Sequence, residues 1–246
     1  PHENAADALA WGFVLGIVFQ AWILAWMLKK QGFQVTPWWH EPTEALRQTV
    51  GQYIPMIAGV TLMSSTILVD QAMAAMLDPG SVAALEYANK LVAFSLGLST
   101  TALGTAALPH FSKQVAEREW SSLGGTINSF VRLIFWASLP LIAMVGMFAH
   151  EIVGLIFQRG AFTDADSIFV GRVFLFLILQ VPFHLAGILM VRAISALKLN
   201  KLLFYGAIIN VSVNIGLNYI LMQFMGVAGI ALSTSFVYLV SYLYLR

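Results

Sequence analysis

The sequence predicts an all-α, polytopic membrane bundle of about seven transmembrane helices. Two observations carry this. Of 246 residues, 59% are hydrophobic and only 10% are charged; a soluble domain has about 45–50% and about 25%, so charge is too scarce for a water-facing surface. The apolar residues also fall in long runs, about the 20 residues that a helix needs to cross the hydrocarbon core. A β-barrel shows alternating segments of about ten residues instead.

The spans follow in order. Ala8 to Leu28 is the first, closed by Lys29-Lys30. Tyr53 to Leu77, Ala83 to Phe111, Ile127 to Phe148, Ile168 to Ile194, Leu203 to Met222 and Val227 to Leu245 complete the set. The longest connector, 31–52, holds Pro37-Trp-Trp-His-Glu-Pro42, and adjacent tryptophans favour the membrane interface. The segment after Pro42 is expected to form a short interfacial helix. Asp78-Pro-Gly-Ser81 predicts a tight turn, and residues 112–123 a polar connector. Near residue 160 one helix ends at Gly160, and Thr163 with Asp166 gives a capping-box start to the next. Pro55, Pro140 and Pro182 lie inside spans and are expected to kink them.

Lysine and arginine set the orientation. Alternate connectors, with the C-terminal end, hold Lys29, Lys30, Arg47, Lys113, Arg118, Lys198, Lys201 and Arg246; the opposite set holds Arg159. The first set belongs in the cytoplasm. The chain starts Pro1-His-Glu-Asn4, without Met, and stops inside an apolar run, so it is expected to be a piece of a longer protein. There are no cysteines. The five histidines are scattered, with no HxxxH or HExxH pair, so neither a metal site nor a cofactor is expected. No catalytic arrangement is visible, and no basic patch for nucleic acid. The chain is not expected to be an enzyme.

Three ionisable residues lie at membrane depth, where each costs at least about 2.5–3.5 kcal/mol unless it faces water or a partner. They are Asp70, Glu86 and Lys90. Spans two and three form a hairpin around Pro79-Gly80, which puts Asp70 level with Asn89, one residue from Lys90. Lys90 lies roughly 10 Å inside the outer helix end, with Glu86 one turn outward. Asp70 or Glu86 is therefore expected to pair with Lys90 when no ligand is near. Glu86, Lys90, Ala93, Gly97, Thr101 and Gly104 form one stripe, and Gly59, Met63, Thr66 and Asp70 another. Such stripes suit either a tight helix–helix seam or a cavity wall that offers a cation to an anionic ligand. Asn210, Asn214 and Asn218, at i,i+4 spacing, either bridge helices or line a wet path.

Several stretches, in order from end to end, resemble the MurJ/MviN lipid II flippase family, part of an exporter superfamily that includes polysaccharide flippases and drug/cation antiporters. They include Asn4-Ala-Ala-Asp-Ala-Leu-Ala-Trp-Gly-Phe-Val-Leu-Gly16, Ile67-Leu-Val-Asp-Gln71, Glu86-Tyr-Ala-Asn-Lys-Leu91, Ala102-Leu-Gly-Thr-Ala-Ala-Leu-Pro109, Phe157-Gln-Arg-Gly-Ala-Phe-Thr163 and Asn214-Ile-Gly-Leu-Asn218. The resemblance implies fourteen helices in two lobes around a central cavity. Residues 1–30 would be the helix before the second lobe, 31–52 a cytoplasmic connector, and 53–246 the second lobe, incomplete at its C-terminus. It also implies that Lys90 occupies the place of a substrate-facing arginine. Asn89 stands where the family has aspartate, and Ala93 where it has glutamate. Lys198-Leu-Asn-Lys-Leu202 replaces an Asp-Thr-x-Thr-Pro motif.

The expected function is an inner-membrane flippase for a polyprenyl-pyrophosphate-linked glycan, lipid II or a similar precursor, working by alternating access. Its partners would be that lipid-linked oligosaccharide, membrane lipids and a coupling ion, H+ or Na+. A polysaccharide-unit flippase, a drug/cation antiporter and a non-transporting scaffold are the alternatives.

Overall fold

The computed structural model describes residues 2–32, 44–116, 120–197 and 199–246. They form eight helices, and the chain divides into two units, Pro1–Arg47 and Gln48–Arg246. The first unit holds α1 (His2–Lys30), whose last turn carries Lys29 and Lys30, the favourable end of the helix dipole for a cation.

The second unit holds α2 (Glu44–Ala74), whose first turn precedes the boundary, then α3 (Ser81–Ala116), α4 (Trp120–Phe157), α5 (Asp164–Ile178), α6 (Val181–Ala196), α7 (Asn200–Met225) and α8 (Val227–Leu245). Six expected spans each fall on a single helix, to within three residues at their ends, and the fifth, Ile168 to Ile194, covers both α5 and α6. Six stretches of described residues, in α1, α2, α4, α5–α6, α7 and α8, have the length and apolar content to cross a membrane. The 36 residues of α3 reach about 54 Å at 1.5 Å per residue.

Three local expectations change. Residues Glu44 to Gln48 are the start of α2, with no separate interfacial helix among the described residues. The polar connector expected at 112–123 is mostly helical, since α3 continues to Ala116 and α4 starts at Trp120. The prolines also divide. Pro55 and Pro140 sit within α2 and α4, and the non-helical residue of α4 is Phe148. Pro182 starts α6 just after the break that splits the fifth span, because a proline lacks the N–H that would continue the helix.

The punctuation follows the sequence. Gly80 closes the α2–α3 turn at φ +95°, a backbone angle that glycine adopts without strain. At the α5 start the Thr163 hydroxyl accepts from the Asp166 N–H, while the Asp166 carboxylate accepts from the Thr163 N–H at 2.8 Å. This is the predicted capping box.

Packing centres on α5, α6 and α8. Helix α3 lies against α5 and α6, α4 against the same pair, and α7 against α8. Leu177, Ile178, Leu189 and Ile230 are fully buried there, and Ser235 on α8 donates to the Phe176 carbonyl at 2.6 Å. Large apolar groups also cover the outside: Phe94, Leu155 and Phe224 are 71%, 81% and 83% exposed. With lipid as solvent there is no hydrophobic gain in hiding them, so close backbone approach carries the association. A Cβ on Gly171 would sit 3.1 Å from the His150 nitrogen, and one on Gly229 only 2.2 Å from the Leu221 carbonyl oxygen.

Gly229→Val should therefore lower the stability of the full-length protein by about 1–3 kcal/mol, the usual cost of overpacking. Gly216→Ala, where an added Cβ meets nothing within 4 Å, should be neutral or slightly stabilising. Thermal unfolding in detergent compares the two.

Candidate functional site

Asp70 is half-buried near the C-terminal end of α2, and it turns towards α7 and α8. Its Oδ1 accepts from Asn214 Nδ2 at 2.9 Å and from Asn218 Nδ2 at 2.6 Å; its Oδ2 accepts from Thr234 Oγ1 at 3.3 Å. One carboxylate thus joins three helices. The i,i+4 spacing of Asn214 and Asn218 puts both on the face of α7 that meets α2, and both are fully buried. Asn210 adds a layer one turn nearer the N-terminal end of α7, donating to Ser241 Oγ at 3.0 Å and to Met63 Sδ at 3.4 Å. Thr66 donates to its own helix at the Met63 carbonyl, 2.7 Å away.

The expected Asp70–Lys90 pair does not form: among the described residues no carboxylate lies within 4.0 Å of Lys90. The depth register holds, but the azimuth does not. Successive helical residues point about 100° apart, so when Asp70 faces α7 its neighbour Gln71 faces α3. There Gln71 Nε2 donates to Glu86 Oε1 at 2.6 Å. Glu86 is satisfied by an amide, not by Lys90.

Lys90 is exposed on α3, with Nζ 5.3 Å from the centroid of the Tyr87 ring, within cation–π range. Tyr87 packs in turn against Phe157 and Phe162, with centroids 4.9 and 5.2 Å away. Aromatic packing between α3, the end of α4 and the loop after it thus steadies the tyrosine under the lysine. Ala93 and Gly97 are also exposed and Asn89 is half-buried. The α3 stripe is therefore not a seam against α2. The Thr101 side chain lies outside the described residues.

The opposing stripe on α2 faces α7 instead: a Cβ on Gly59 would lie 3.5 Å from the Phe204 Cα. A cavity of about 860 Å³ lies among α2, α6, α7 and α8; Thr66 and Asn210 line it, and Lys90 does not. Sequence reasoning missed Gln71, Thr234, His184 and Tyr238. The signal available for Thr234 was a polar residue in the run Ser233-Thr-Ser235, inside a span.

Chemically the two regions differ. The Lys90 face offers an exposed cation. The Asp70 cluster offers oxygens: the carboxylate, the Thr234 hydroxyl, and the Asn214 and Asn218 Oδ1 atoms, which are buried without a protein partner. Amide oxygen and nitrogen are nearly interchangeable in shape, so rotating either amide turns an oxygen towards Asp70. Carboxylate, amide and hydroxyl oxygens are the ligands of hard cations, and one carboxylate balances one positive charge.

A family model described as "Lipid II flippase MurJ" matches residues 1–246. A curated Vibrio cholerae relative, "Probable lipid II flippase MurJ", is 30% identical over 239 residues, 95% of this chain and 44% of its own length. A Thermotoga maritima relative of the same description is 30% identical over 73% of this chain and 37% of its own. The chain thus spans less than half the length of these relatives. The solved structure "Lipid II flippase MurJ, inward closed conformation" superposes with TM-score 0.70 at 23% identity, over 84% of this chain and 44% of that one. An outward-facing multidrug resistance MATE family transporter of the MOP superfamily gives 0.62 at 15% identity, over 84% and 47%. At these identities the structures establish the fold.

A double-mutant cycle checks who holds Asp70. Asp70→Ala and Asn218→Ala should couple by about 1–2 kcal/mol in equilibrium unfolding of the full-length protein in mixed micelles. Asp70→Ala and Lys90→Ala should be additive within about 0.5 kcal/mol.

Proposed function

Because the chain belongs to the lipid II flippase MurJ family, we propose that it supplies the second lobe of a transporter that moves a polyprenyl-pyrophosphate-linked glycan, lipid II or a close relative, across the bacterial inner membrane. Residues 53–246 form that lobe, residues 1–30 the preceding helix, and residues 31–52 the cytoplasmic link. Transport proceeds by alternating access, with the two lobes rocking about a cavity between them.

The observation that carries this reading is the exposed Lys90, at membrane depth and with no carboxylate within 4.0 Å among the described residues. An uncompensated cation at that depth is costly, and a diphosphate passing the face offsets the cost. Lysine acts there as a point charge without the two-pronged geometry of arginine. Tyr87 and its aromatic neighbours limit the positions its ammonium group visits. Glu86, held by Gln71, is kept from neutralising it.

The coupling ion belongs at Asp70. Asp70, Asn214, Asn218 and Thr234 would hold a monovalent cation of the Na+ class, which supplies the positive charge that this buried carboxylate lacks. Residues of α2, α7 and α8 meet at this one point, so its occupancy bears on how α2 is tied to the other two helices.

In cells that depend on the full-length protein, Lys90→Ala at normal membrane abundance should lower transport of the lipid-linked precursor by at least about tenfold, the scale of one charge-assisted contact, and Lys90→Arg should retain it. Undiminished transport by the alanine variant would rule out the substrate role.

A further inference from the structure

The cavity among α2, α6, α7 and α8 sits one helical turn below the Asp70 cluster on each helix that builds the cluster. Thr66 is four residues from Asp70 on α2, Asn210 four from Asn214 on α7, and Tyr238 four from Thr234 on α8; all three line the cavity. From there it extends to Ser195, Leu203 and Leu245, at the ends of α6, α7 and α8 that the lysine and arginine distribution places in the cytoplasm. At about 860 Å³ it has room for a column of water at about 30 Å³ per molecule.

Its polar atoms call for hydration. His184 Nδ1, Arg192 Nε and Asn210 Oδ1 are buried and have no protein partner, a costly arrangement in a dry interior. His184 stacks on Tyr238 with centroids 4.3 Å apart, so the deep end has a fixed polar wall. Gly187 keeps the middle wide: a Cβ there would meet nothing within 4 Å. Asn210, bonded to Ser241 and near Met63, bridges the same three helices as the Asp70 cluster, one layer lower.

We propose that this cavity is the cytoplasmic access route to the Asp70 cluster, with Asn210 the last polar contact before it. The inference rests on the cation reading of that cluster for its cargo, but the route stands on geometry alone.

The test uses the full-length protein with its other cysteines replaced and Thr234→Cys in the cluster, in inverted and right-side-out vesicles. The probe is a small cationic methanethiosulfonate. Modification should be at least about tenfold faster from the cytoplasmic face, and Gly187→Phe, which fills the cavity, should slow it about as much. Ser241→Cys, a near-isosteric change on the cavity wall, should show the same sidedness and serves if Thr234→Cys misfolds. Faster reaction from the outer face, or rates indifferent to Gly187→Phe, would overturn the route. Slowing of the Thr234→Cys reaction by Na+ supports the cation as its cargo. Sided labelling that ignores Na+ leaves the route standing and counts against the cation reading.

Discussion

A carboxylate in a membrane helix, without a basic partner among the described residues, is the constraint on which the rest of this unit depends. Burying such a group is expensive unless hydrogen bonds or a cation satisfy it. The chain meets that demand at Asp70 with two asparagine amides and a threonine hydroxyl from two other helices. The consequence is architectural. Helix α2 carries a largely apolar, exposed surface, and polar contacts from Asp70, Gln71 and Asn210 join it to α3 and α7. A helix held by a few polar contacts can be released by changing a few polar contacts, which a tightly interdigitated apolar seam does not allow.

The charges expected at membrane depth therefore lie in two separate places rather than one. Lys90 stays exposed on α3, over Tyr87. Asp70 turns away, into the lobe, beside the 860 Å³ cavity. Had the two paired as their depths suggest, each would have cancelled the other's charge. Gln71 helps keep them apart by occupying Glu86, so that Lys90 is not neutralised from its own helix.

Much of this was legible in the sequence, and the failures have a common physical cause. Span positions, the Gly80 turn and the Thr163–Asp166 capping box depend on composition and local backbone chemistry, and all appear where expected. The register of the α2–α3 hairpin was also right to about two residues, since Gln71 meets Glu86 and helical rise converts residue number into height. The direction of Asp70 was not, because facing depends on which neighbour a helix packs against, and that neighbour, α7, lies about 140 residues away in the chain. The asparagine stripe and Asp70 looked like two features for the same reason; the fold makes them one. The helical break at Pro182 and the persistence of helix through Pro55 and Pro140 likewise depend on tertiary surroundings.

The chain belongs to the MurJ family, and its likeness to a MATE transporter is one of fold, which does not by itself fix a function. What marks this chain is the pairing of an exposed cation with a separate buried oxygen cluster. The most direct measurement is thermal unfolding of the full-length protein at constant ionic strength as choline is exchanged for sodium. A ligand at one hundred times its dissociation constant stabilises by about 2.7 kcal/mol. A sodium-dependent rise of a few degrees in the wild type, absent in Asp70→Asn, is the expected result; an equal rise in both, or none in either, contradicts a cation site at Asp70.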